Sequence, residues 1–133
     1  MGTWDTGSFD NDDAMDWVYE LEEADDLSIL ADSFETVLEQ RDDSPDETDC
    51  TFAICAAEVV AGLMGNPAND LPAEVMDWID DQPPPPESLR KMARSSLKVI
   101  LRDSGLKELW EETDIYPEWV ESIRDLLARL QES

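Results

Sequence analysis

Apolar residues return every three to four positions along most of this chain, which is the spacing of a helix face and not of a strand. Ala14, Trp17, Val18, Leu21 and Ala24 make the first stripe, with Asp13, Asp16, Glu20 and Glu23 on its wetter sides. A second helix is predicted from about Leu27 to Gln40, on Leu30, Phe34, Val37 and Leu38. It ends in a polar loop, Arg41-Asp42-Asp43-Ser44-Pro45-Asp46, which contains a proline. The next segment, from about Asp49 to Met64, differs in kind. Phe52, Ala53, Ile54, Ala56, Ala57, Val59, Val60, Ala61, Leu63 and Met64 leave little polar surface except Glu58. A helix apolar all round belongs at the centre of a bundle, and this one is too short to span a membrane.

Gly65-Asn66-Pro67 closes that helix and opens a loop through Asn69 and Asp70. A short helix follows at Pro72–Asp80, offering Val75, Met76, Trp78 and Ile79 for packing. Residues 82–86, with consecutive prolines from Pro83 to Pro86, read as a stiff spacer, and Pro86 and Glu87 suit the first turn of the next helix. That helix, about Glu87 to Asp103, turns Leu89, Met92, Ala93, Ile100 and Leu101 inward, while Arg90, Arg94, Lys98 and Arg102 recur on another side. Gly105 is expected to break it. Leu106, Leu109 and Trp110 mark a short helix, and Trp119, Val120, Ile123, Leu126, Leu127 and Leu130 a final one from near Pro117. The predicted fold class is all-α: one domain over residues 1–133, a single compact bundle of about six or seven helices around a buried central helix.

The first residues do not follow the helical pattern. Gly2 to Trp17 holds two glycines, two tryptophans, a phenylalanine and five acids. Glycine permits backbone angles that other residues resist, so Trp4 and Phe9 are expected to turn inward as an aromatic plug over residues 1–11, with Asp10 or Asn11 capping the first helix. Gly2, Thr3, Trp4, Gly7, Phe9, Asp10, Asn11 and Asp12, followed by Ala14, Asp16 and Trp17, resemble the opening of a bacterial family of small proteins known as domain of unknown function 4259. Asp5 stands where that family usually has glycine, and Ser8 where it usually has proline. A weaker echo lies at Leu109-Trp110-Glu111-Glu112. The resemblance brings no known activity with it; it bears on fold and bacterial host and not on chemistry.

Charge changes the picture most. The chain of 133 residues carries 34 acids against 9 bases, formally −25. Residues 1–88 hold 25 acids and the single base Arg41, a net of −24, whereas residues 89–133 are close to neutral at −1. Such an asymmetry repels nucleic acid and anionic membrane and attracts cationic partners. Acidity for solubility alone is the competing explanation. The basic ridge on the fifth helix is expected to neutralise acids of the first half and not to bind phosphate.

With no histidine, the chain has no Ser-His-Asp triad, no Cys-His pair and no imidazole metal ligand. Gly62-Leu63-Met64-Gly65 lacks the spacing and the lysine of a phosphate loop. Counting a calcium loop from Asp10 puts Met15 at the glycine position and Leu21 at the closing glutamate, so no calcium site is expected. Cys50 and Cys55 read as buried small hydrophobes in a reduced, cytoplasmic protein. A non-catalytic protein without cofactor is therefore expected. Its partner would be basic, a toxin or a nucleic-acid-binding protein, with no direct contact to nucleic acid or membrane. The immunity-type inhibitor of a basic nuclease toxin comes first and the nucleic-acid mimic second. The carboxylates assigned to that contact are Asp12, Asp13, Asp16, Glu20, Glu23, Asp42, Asp43, Asp46 and Glu47. Aromatic anchors, if present, would come from Trp4, Trp17, Trp78, Trp110 or Trp119.

Overall fold

The computed structural model describes residues 12–66 and 71–131, with side chains from residue 14 onward. The plug expected over residues 1–11 lies outside this range. The helices are α1 (Asp12–Glu23), α2 (Ser28–Glu39), α3 (Glu47–Leu63), α4 (Ala73–Asp80), α5 (Glu87–Arg102), α6 (Gly105–Glu111) and α7 (Tyr116–Leu130). The described residues contain no strand. The fold is an all-α bundle, as the periodicity required.

Helix α3 packs against each of the other six helices, which is why it needs no polar face. Its middle is built largely from Ala53, Ala56, Ala57 and Ala61 with Val59 and Val60, all without solvent exposure. Small side chains let surrounding helices approach closely from several directions, and their burial stabilises by roughly 25 cal/mol per Å² of apolar surface removed from water. Gly62 extends this logic, since a Cβ there would come 2.6 Å from the Ile79 Cδ1 of α4. Around α3 the predicted stripes supply the core: Trp17, Val18 and Leu21 from α1, Leu30, Phe34 and Val37 from α2, Ala93 and Ile100 from α5, Ile123 and Leu126 from α7. Leu97 of α5, outside the predicted stripe, is fully buried as well, whereas Met92 and Leu101 are only partly buried.

Two boundaries differ from the sequence reading, for one shared reason. α3 starts at Glu47 because the Asp46 side chain accepts from the Thr48 N–H and caps it. Gly105 does not simply break α5; it is the first residue of α6. Ser104 caps α6, accepting from the Lys107 N–H at 3.0 Å while its hydroxyl donates to the Ile100 carbonyl at 2.9 Å. The Gly105 N–H donates to the Pro45 carbonyl at 2.8 Å. A Cβ on Gly105 would meet that oxygen and the Glu47 nitrogen at 3.2 Å each. Glycine is there for a close backbone approach that pins the α2–α3 turn to the start of α6.

A charged pair lies inside the bundle. The Glu58 side chain, 7% exposed, faces Arg129 of α7. The guanidinium donates to Glu58 Oε1 at 3.0 Å and Oε2 at 3.4 Å, to Asp125 at 3.0 Å and to the Asn66 carbonyl at 3.3 Å. Asn66 Nδ2 donates back to the Arg129 carbonyl at 3.1 Å, and Arg94 donates to the Leu130 carbonyl at 3.2 Å. The two carbonyls at the C-terminal end of α7 are thus satisfied by side chains from elsewhere in the bundle.

Candidate partner-binding surface

The acids assigned to a partner contact fall on two elements. Asp12 and Asp13 open α1, with side chains outside the described set; Asp16, Glu20 and Glu23 are exposed along it. Asp42, Asp43, Asp46 and Glu47 are exposed in the turn between α2 and α3 and at the start of α3. Among the described residues, no hydrogen bond or ion pair joins the α1 group to the turn group.

The turn is held in place. The Asp43 N–H donates to the Gln40 carbonyl at 2.8 Å, and the Gln40 amide donates to Asp49 Oδ2 at 2.8 Å. Ser44 adopts φ 57°, a left-handed angle that short polar side chains tolerate better than most. Pro45 is buried. Asp46 and Asp49 therefore have structural duties, whereas the Asp42 and Asp43 side chains make no hydrogen bond within the described residues. Beside the turn, a surface groove of about 300 Å³ is lined by Glu35, Leu38, Glu39, Arg41 and Asp42.

Several bases pair with acids on their own helix. Arg90 and Arg94 meet Glu87 on their own helix at 2.9 and 3.4 Å. Lys107 pairs with Glu111, Arg124 with Glu121 and Arg129 with Asp125, each within one helix. The Arg129–Glu58 pair ties a base of α7 to an acid on α3. Helical pairs at i,i+3 and i,i+4 form at little entropic cost, so local acids consume the bases first. Thirteen acids from Asp16 to Glu47 stay exposed, and among the described residues none of them pairs with a base.

Of the tryptophans, Trp4 lies outside the described residues and the other four belong to the core. Trp17, Trp78, Trp110 and Trp119 are all buried. The Trp17 indole donates to Ser33 Oγ at 3.1 Å and Trp78 to the Ala24 carbonyl at 3.0 Å. Trp110 stacks on Trp119 with ring centres 6.2 Å apart, and Tyr116 stacks on Trp119 at 6.1 Å. Among the described residues, the exposed large apolar side chains are Tyr19 at 65%, and Met15 and Leu109 at 36% each. Sequence reasoning missed the first two, although their i,i+4 spacing opposite the Ala14, Trp17, Val18, Leu21 stripe marks an outward face.

Neither cysteine is exposed as a thiolate. Cys50 and Cys55 are free and buried, and burial pushes the Cys50 thiol up to about 12 and the Cys55 thiol well above its ordinary value. Among the described residues, no three Cys, Asp or Glu side chains gather as metal ligands, and no helix is long and apolar enough to cross a membrane.

Comparison with known families extends the N-terminal likeness over nearly the whole chain. The model of the family described as domain of unknown function (DUF4259) matches residues 2–122. The chain belongs to this family. The match spans α1 to α6 and about the first half of α7, so the DUF4259 unit includes the α3 hub and both acidic elements. No curated protein and no solved structure matches the chain.

Proposed function

We propose that this DUF4259 protein is a non-catalytic acidic binding module that docks on a basic protein surface, as an immunity-type inhibitor of a basic toxin or nuclease would. One observation carries the reading: thirteen exposed acids between Asp16 and Glu47 without an ion-pair partner among the described residues. A folded protein gains nothing in stability from crowding such charges together, and their mutual repulsion works against the fold. Opposed by lysines and arginines that a nuclease uses for phosphate, the same charges speed encounter and fix orientation. A second reading, mimicry of nucleic acid against a DNA-binding protein, is favoured by the burial of the four described tryptophans, which leaves the surface short of indole anchors.

The test is capture of partners from the native host at low salt, followed by binding kinetics with the captured protein. A basic partner is expected, with association slowing steeply as salt rises, because exposed charges are screened over about 10 Å at 0.1 M ionic strength. Reversing Asp42, Asp43 and Glu47 to lysine slows association while the helical content stays unchanged; Asp46 is left alone because it caps α3. An acidic or neutral partner, or affinity flat from low to high salt, overturns the proposal and leaves solubility as the reason for the charge.

A further inference from the structure

The outward face of α1 sets exposed apolar side chains among exposed carboxylates. Tyr19 is 65% exposed and Met15 is 36% exposed, four residues apart, so they lie side by side on the helix surface. Around Tyr19, helical geometry places Asp16 at i−3, Glu22 at i+3 and Glu23 at i+4, all three exposed. No base lies on α1, and none of these carboxylates has an ion pair among the described residues. The opposite face, Ala14, Trp17, Val18 and Leu21, is fully committed to the core, so the helix is firmly seated and its outer surface is presented rigidly.

We infer that this face is an arginine-docking platform for the basic partner, a step that rests on the function proposed above. A planar guanidinium stacks on the open Tyr19 ring while its N–H fork reaches the carboxylates of Asp16, Glu22 or Glu23, and Met15 covers the aliphatic stem. A lysine ammonium matches the charge but cannot stack as a plane or bond through two parallel N–H groups. The α1 face therefore selects arginine over lysine, whereas the α2–α3 turn attracts either.

The experiment titrates isotope-labelled protein with an octa-arginine and an octa-lysine peptide at about 50 mM salt and follows backbone amide shifts. Octa-arginine is expected to bind about two- to fivefold more tightly, with its largest shifts on residues 15–23. Tyr19→Leu removes the preference and Tyr19→Phe keeps it, because the ring face and not the hydroxyl does the stacking. The Asp42→Lys, Asp43→Lys double variant weakens both peptides alike. Equal affinity for the two peptides, shifts confined to residues 41–47, or a preference that survives Tyr19→Leu overturns the platform and leaves the charge-driven function standing. If neither peptide binds, or binding ignores salt, both are overturned.

Discussion

Removing Arg129 tests how much of this fold depends on the charge pair inside it. The Glu58 side chain is 7% exposed and Arg129 is 20% exposed, and the contact is a two-pronged fork at 3.0 and 3.4 Å. Burial works against the charged guanidinium, but the bonds and charges of Glu58 and Asp125 more than offset it and raise its proton affinity above the ordinary value. Arg129→Met takes the guanidinium away from a carboxylate that stays inside the bundle, a change that costs about 3–5 kcal/mol for a buried pair. The lower end applies here because Arg129 keeps some water contact, so about 3 kcal/mol is expected, or roughly 10 °C in Tm for a domain of this size. Replacing both partners, Glu58→Leu with Arg129→Met, should return most of that loss, since neither charge then has to leave water. Urea unfolding of wild type, both single variants and the double variant gives the coupling, expected to be about 2 kcal/mol or more. Arg124→Met is the control: its pair with Glu121 is 66% and 74% exposed, and the change should stay within about 0.5 kcal/mol. An Arg129→Met variant as stable as the control, or single effects that simply add in the double variant, would refute the reasoning.

Two further outcomes follow from the packing. Gly105→Ala should destabilise by about 1–2 kcal/mol in urea unfolding despite alanine's better helix propensity, because the new methyl meets Pro45 O and Glu47 N at 3.2 Å and both are backbone atoms; equal or greater stability would show that the α2–α3 turn yields freely. Both thiols should resist a disulfide reagent at pH 8 in the native protein and react at once in denaturant. The Cys50 thiol, raised from 9.0 to about 12 chiefly by burial, stays protonated in the fold where the unfolded chain has lost its proton, so stability should fall as pH rises from about 9 toward 12. Fast native labelling, or stability unchanged over that range, would contradict the burial of these residues.

What the sequence determined by itself was the helical architecture and its centre. Periodicity is a local property: Leu30, Phe34 and Val37 share one face of a helix whatever else the chain does, and a segment apolar on every side has nowhere to go but the middle. The charge asymmetry was equally legible, being a matter of counting. Tertiary structure decided the rest, because it depends on which distant residues meet. Glu58 looked like a polar exception on the core helix and became intelligible only when α7 brought Arg129 to it. Gly105 read as a helix breaker until the backbone of Pro45 and Glu47 came against it. That Glu87 would meet both Arg90 and Arg94, one and two turns along α5, was likewise visible only in the folded helix. The four described tryptophans lie inside, where their indoles find partners at Ser33 and Ala24 or stack on one another. Exposure is set by the helices a residue does not belong to, and so it was Tyr19 and Met15, on a side of α1 that no other described helix covers, that were left facing water.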